Sequence, residues 1–370
     1  MRIAVVGGGI GGATSACHLA PRHEVVLLEQ ESELAFHTTG RSAAVFMEGD
    51  VGPVMQPLAV GARSFFEADH PELDAPLLDP MPTLTIGTDE ERQVLEAQAA
   101  FDRRLAPSIR FIEGTELLDW CPVLRPEVVT CAVVEPTGAS IDVMALHQLF
   151  VRRAVAAGAE IRRSSRVGTI ERLDHGWRLG TATGPVDCDV IVNAAGAWGD
   201  HVATLAGVEP IGLTPMRRTA FTTRLGDRDP AGWPLVYSLI GGRPCYFKPE
   251  AGNQLLCSLA DETPSEPLDA RPEEIDVAQA IDNINAISTL DIRSVATTWA
   301  GLRTFAPDRD PVFGWDDSAD GFFWMVGQGG WGIISSPSAG RVAAGLLDGA
   351  GLPADLVELG LRPEALAPRR

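Results

Sequence analysis

Near-continuous apolar runs, rather than alternating ones, open the chain. Residues 2–6 (RIAVV) and 24–29 (EVVLLE) are short and rich in Val and Leu, as in parallel strands buried on both faces. Between them Gly7, Gly8, Gly9, Gly11 and Gly12 lead into the small residues ATSACHLA. The pattern predicts strand, glycine turn, helix and strand, a right-handed βαβ unit. Helical periodicity returns over 142–161 and ends at Gly158. Residues 187–200 predict a buried strand that runs into a small-residue turn. FFWMV (322–326) predicts another strand, followed by GQGGWG and a helical stretch from Ile333. Residues 83–87, 217–223, 244–248 and 254–259 have β character and are separated by turns rich in Pro and Gly. The expected fold class is α/β, with two interleaved parts. A Rossmann-like nucleotide-binding domain is assembled from 1–80, 138–213 and 306–370. A mostly antiparallel β-sheet domain comes from 81–137 and 214–305.

Composition narrows the partners. The 370 residues carry 30 basic and 50 acidic side chains, a net charge of −20. Nucleic acid needs a basic footprint, and an anionic membrane surface attracts basic segments, so neither is expected. No apolar run approaches the ~18 residues of a spanning helix, and the opening MRIAVVGG lacks the pattern of a signal peptide. The six cysteines are scattered without a CxxC pair and the seven histidines form no cluster. Reduced packing cysteines in a cytoplasmic protein without a metal are expected.

Gly7, Gly9 and Gly12 fit G-x-G-x-x-G. Gly7 permits the tight turn, Gly9 lets backbone approach a pyrophosphate, and Gly12 lets the helix pack on the strand. The helix N-terminus behind Ile10 and Gly11 then faces phosphates. Glu29 ends the second strand, where a carboxylate can accept ribose hydroxyls and repel a 2′-phosphate. The motif leaves NAD and FAD open. VIVNAAGAWGD, with Ala195, Gly196 and Trp198 after the strand, favours FAD because it is similar to the second nucleotide-contacting segment of FAD-dependent oxidoreductases.

From FHTTGRSAA onward the chain resembles the D-amino acid oxidase/glycine oxidase (DAO) family of flavoproteins, nearest in pattern to the bacterial D-arginine dehydrogenases. EPTGASIDVMALHQ, VNAAGAWGD, MRRTAF, CYFKPE, TWAGLRTFAPD, FFWMVGQGGWGI and PEALAPRR follow in the family's order. The resemblance implies FAD, held non-covalently, since RTFAPDRDPVFG lacks the cysteine that tethers flavin in sarcosine oxidases. It places Gln30, Thr39, Arg41, Ser42, Ala43 and Val167 at the cofactor. Gly329, Gly330, Gly332 and Ile333 match the turn lining the isoalloxazine, and the helix opening there stabilises negative charge on the reduced ring.

The same resemblance gives Arg303 a partner. It matches the arginine that clamps the substrate carboxylate bidentately. Tyr246, one of two tyrosines in the chain, matches the tyrosine bonding that carboxylate, and Arg218 matches a second arginine nearby. Arg217 is expected on the opposite, solvated face. The implied reaction is hydride transfer from Cα to flavin N5, giving an imino acid that hydrolyses to a 2-oxo acid and ammonia.

Departures from the family pattern fall in the substrate pocket. Thr83, Val45, Phe46 and Asp50 stand where the D-arginine enzymes carry a glutamate, a histidine and loop tyrosines, and Gly330 and Trp331 complete the pocket. Without the glutamate, a neutral or hydrophobic, D-configured amino acid is the expected substrate. Asp50 reads as a solvated loop residue or a displaced acid. N-methyl amino acids and 2-hydroxy acids are alternative substrates, and a non-catalytic flavin-binding subunit is an alternative of another class. Lys248, in CYFKPE, is the one candidate for activating oxygen. A quinone-like acceptor is favoured, with oxygen as the alternative.

Overall fold

The computed structural model describes residues 1–368; Arg369 and Arg370, the end of the expected 306–370 segment, lie outside the described residues. Strands Arg2–Val6 and Glu24–Leu28 pair in parallel around helix Ile10–Leu19, as the opening pattern predicts. They sit in a six-stranded sheet ordered Val312–Trp315, Phe322–Val326, Val190–Asn193, Arg2–Val6, Glu24–Leu28, Glu160–Arg162. All its neighbours are parallel except the first two. Alternate residues enter two cores. Ile3, Val5, Val25 and Leu27 pack against helices Ile10–Leu19, Val143–Ala156 and Gly332–Leu347. Ala4, Val6, Val26 and Leu28 pack against the three-stranded sheet of residues 167–188. Burial on both faces is why these strands read as unbroken apolar runs.

A nine-stranded sheet stands beside this layer and is antiparallel apart from the pairing of Leu235–Ser238 with Thr83–Gly87. One face buries Leu84, Val236, Phe247 and Cys257 against helix Glu274–Ile287. The other carries Tyr246, Ala220, Leu235 and Leu256 toward the nucleotide-binding layer. The fold is thus the expected α/β assembly with an interleaved sheet. The 297–305 segment, given no secondary structure from sequence, is a full strand of this sheet. Thr297–Phe305 pairs antiparallel with Thr214–Arg224 along nine positions, from Thr214↔Phe305 to Thr222↔Thr297.

Among the described residues no helix is long and apolar enough to cross a membrane, no cluster of three His, Cys, Asp or Glu could hold a metal, and all six cysteines are free.

Candidate active site

The glycine turn is locked from three sides. Gly8 donates its N–H to Glu29 Oε2 at 2.7 Å, while Gly8 O accepts from His147 Nε2 at 2.9 Å and from Ala35 N at 3.1 Å. Gly7 sits at φ +111, and a Cβ there would overlap the Ala194 carbonyl. A Cβ on Gly12 would overlap Gly7 O, so Gly12 serves helix-on-strand packing and does not itself line the cleft. Gly9 differs: an added Cβ would meet only Thr39 Oγ1, at 3.2 Å. Open space beside its backbone is what a closely approaching phosphate group requires. Thr39 Oγ1 also accepts the first helical N–H, from Ile10, at 2.9 Å. The N–H groups of Gly11 and Gly12 have no carbonyl partner in their own helix.

From this turn a continuous cleft runs to the nine-stranded sheet, enclosing about 1590 Å³ with its open mouth. Its lining, from the glycine turn to the sheet, suits a dinucleotide with a second molecule at one end. Gly7, Gly9, Ile10, Gly11, Glu29 and Gln30 line one end. Thr39, Arg41, Ser42 and Ala43 line the middle, with Val167, Ala195, Gly196 and Trp198. Gly329, Gly330, Gly332 and Ile333 border the far end, where helix Gly332–Leu347 begins. Glu29 is buried, and its two carboxylate oxygens accept from Gly8 N and Glu31 N. Arg41 lines the cleft but directs its guanidinium elsewhere, to Ala270 O, Ala300 O and Asp269. No cysteine lines the cleft among the described residues.

Arg303, Tyr246 and Arg218 share the sheet end of the cleft. Met216 faces Arg303 across the strand pair and Arg218 faces Gly301, so the two arginines lie diagonally on one face. Tyr246 reaches that face through Ser258 and Ala220, its successive cross-strand neighbours. Arg303 has no hydrogen-bond or ion-pair partner among the described residues. Arg218 is tied down: Nε donates to Asp261 O at 2.7 Å and Nη2 to Glu262 Oε1 at 3.3 Å. A second cavity of about 820 Å³ meets the cleft at Arg303 and Gly330, bounded by Val51, Glu262, Arg309 and Trp331.

Several expectations for the pocket are corrected. Phe46 is fully buried in the core, against Phe66 and beneath the Arg63 guanidinium. Val45 alone of that pair packs beside Tyr246 and Leu235, since successive strand residues point to opposite faces. Thr83 is buried under the Gly138 turn and borders neither cavity. Asp50 is not a solvated loop residue. It adopts φ +57, accepts from Gln98 Nε2 at 2.7 Å, and its own N–H donates to Asp102. Burial, with the nearby Asp102 charge, pushes the Asp50 carboxyl up to about 6 against the opposing bond from Gln98. Arg217 is not solvated either; it is enclosed by Glu273, Asp276 and Asp261. Lys248 borders neither cavity, and its buried ammonium donates to Glu250 Oε2 at 2.9 Å.

Sequence reading missed His147, Glu262 and His37, the last packed against Trp198 with the rings tilted at 45° and centroids 4.7 Å apart. His37 stood inside a recognised block; Glu262 lay in a stretch without pattern and left no signal.

A family model described as FAD dependent oxidoreductase (DAO) matches residues 2–346. A glycine oxidase from Geobacillus kaustophilus is 24% identical over 357 residues, covering 94% of this chain and 92% of that protein. The solved structure of glycine oxidase from the same species superposes with a TM-score of 0.84 at 23% identity, covering 98% of each chain. L-proline dehydrogenase from P. horikoshii superposes with a TM-score of 0.87 at 21% identity, covering 100% of this chain and 97% of that one.

Proposed function

The chain belongs to the DAO family of FAD-dependent oxidoreductases, and from that premise we propose that it oxidises the α-carbon of an amino acid with a neutral or apolar side chain, D by family analogy. In this reading residues 1–80, 138–213 and 306–370 hold the cofactor, and 81–137 with 214–305 hold the substrate. FAD supplies the hydride acceptor, held without a covalent link since no cysteine borders the cleft.

One observation carries the reading: Arg303 is a half-buried guanidinium on the cleft wall with no counter-anion among the described residues. A desolvated cation of this kind calls for an anion, and a carboxylate meets its planar fork bidentately. Tyr246 adds a phenol donor on the same face. Ala220 and Ala43 border the cleft beside Tyr246, with Leu235, Leu256 and Val45 packed behind them, which supports an uncharged side chain. The clamp orients the substrate so that only one face of its α-carbon is presented. No free base stands at this end: Glu262 is paired with Arg218 and Arg309, and His37 lies at the Trp198 end. The substrate amine therefore enters neutral, and turnover rises with pH as the amine deprotonates. A 2-hydroxy acid needs a base for its hydroxyl proton, so this arrangement suits it poorly. Lys248 is engaged by Glu250 away from the cleft, which favours a quinone-like acceptor over oxygen.

Anaerobic mixing with an amino acid panel tests the proposal. D-Leu or D-Phe should bleach the flavin with a higher kcat/KM than D-Arg, glycine, sarcosine or L-proline. Faster bleaching by D-Arg overturns the pocket argument; faster bleaching by sarcosine or L-proline moves the assignment to secondary amines. Oxygen uptake during turnover identifies the acceptor.

A further inference from the structure

The second cavity raises a separate question. Arg303 borders both cavities, Arg218 lines the cleft and Arg309 the second cavity, and Arg218 and Arg309 share one carboxylate. Glu262 Oε1 and Oε2 both accept from Arg309 Nη2 at 2.9 Å, and Oε1 also accepts from Arg218 Nη2 at 3.3 Å. The arrangement is braced. Arg309 lies 3.9 Å over the Phe305 ring. The backbone before Glu262 is held by Arg218 Nε on Asp261 O and by Thr219 N on Asp261 Oδ1, both at 2.7 Å. Glu262 and Arg303 border the same cavity. Asp308 and Asp310 stand on its rim with partners of their own.

We infer that Glu262 is a built-in carboxylate that occupies the Arg218–Arg309 side of the substrate chamber, restricting the enzyme to amino acids with one carboxylate and rejecting those with a second on the side chain. The inference rests on the reading that Arg303 binds the α-carboxylate. With Arg303 taken by that group, a side-chain carboxylate in this cavity meets Glu262 as a like charge, and the two guanidinium groups that could receive it already direct donors to Glu262. Like charges in a partly desolvated site discriminate strongly. Removing the Glu262 charge leaves Arg218 and Arg309 without a counter-ion, and a second carboxylate can then bind both. Glu262 is accordingly a specificity-determining residue that acts through its two arginine partners.

The test uses FAD-loaded wild-type, Glu262→Gln and Glu262→Asp proteins. The probes are acetate and propionate against malonate, succinate and glutarate, scored by perturbation of the flavin spectrum and by competition with the amino acid substrate. Wild type should bind monocarboxylates more tightly than any dicarboxylate. E262Q should gain at least tenfold in affinity for one dicarboxylate relative to acetate, and the same factor in kcat/KM for D-Glu or D-Asp relative to D-Leu. E262D, which restores the charge, should restore the discrimination, an outcome a merely structural role does not produce. Equal mono- and dicarboxylate binding by wild type overturns the inference, and needs no variant to fold. An unchanged ratio in E262Q also overturns it. If monocarboxylates bind neither wild type nor variant, the Arg303 clamp itself falls, a failure distinct from the loss of Glu262 selectivity.

Discussion

Burial pushes the Arg303 guanidinium down to about 10, helped by the like charge of Arg218 and opposed by Tyr246, Glu262 and Tyr237. The direction marks a desolvated cation that a bound anion would stabilise, and the guanidinium stays charged at working pH. The profile of kcat/KM reports ionisations of free enzyme and free substrate. It should climb as the substrate amine deprotonates; steady-state rates across pH 6–9 check this, and a flat profile counts against entry of a neutral amine. Arg303→Lys keeps a charge but loses the planar fork. Truncating one partner of a buried charge pair costs about 2–5 kcal/mol, so Arg303→Ala should lower kcat/KM by roughly a hundredfold or more, and R303K by less, both seen chiefly in KM for the carboxylate. Arg303 was legible in the chain because a lone cation among Trp299, Leu302 and Phe305 demands an explanation. Glu262 was not, since its importance comes from which arginines reach it.

Elements translate the glycine pattern into separable effects. Gly12→Ala should prevent helix Ile10–Leu19 from seating on strand Arg2–Val6, because the new Cβ overlaps Gly7 O; soluble yield and apoprotein Tm should both fall. Gly9→Ala meets only Thr39 Oγ1. The apoprotein should keep its Tm within a few degrees while FAD affinity drops by an order of magnitude or more, read by fluorescence titration. Equal loss of apoprotein stability in both variants would show that Gly9 serves packing. Helix Gly332–Leu347 carries Pro337, which lacks the N–H that Ile333 O would otherwise accept; Ser336 Oγ donates to that carbonyl at 2.8 Å instead. Apolar runs and glycine turns made these elements readable. Strand Thr297–Phe305 was not readable, because its identity depends on pairing with Thr214–Arg224 rather than on its own alternation.

Across the whole molecule, the loop bearing Val45 to Asp50 is anchored by a residue distant in sequence. Glu135 is buried and accepts N–H groups from Glu48 at 2.8 Å and Gly49 at 3.1 Å. Arg63 in turn grips the Glu48 carboxylate through Nε at 2.8 Å and Nη2 at 2.7 Å. Burial raises the Glu135 carboxyl to about 7 against those backbone bonds, and Asp50 is raised in the same direction. A carboxyl held above its unfolded value, roughly 4, binds its proton more tightly in the folded chain. Its contribution to stability is therefore present below pH ~4 and is lost as pH rises toward 7. Glu135→Gln should flatten the dependence of Tm on pH between about 4 and 7 relative to wild type, measured by thermal unfolding across that range. An unaltered slope would remove Glu135 from the account.

The chain by itself determined the βαβ opening and the dinucleotide turn, since each is written in local periodicity or in small residues at fixed spacing, and its blocks in order resembled the family. The resemblance also singled out Arg303 and Tyr246, the residues of the proposed clamp. Tertiary structure alone decided which carboxylates pair with which arginines, that Phe46 points into the core while Val45 packs beside Tyr246, and that Asp50 is enclosed beside Asp102. Those outcomes depend on strand register and on side chains distant in sequence. Desolvation and ion pairing are properties of the packed neighbourhood, and no single segment carries them.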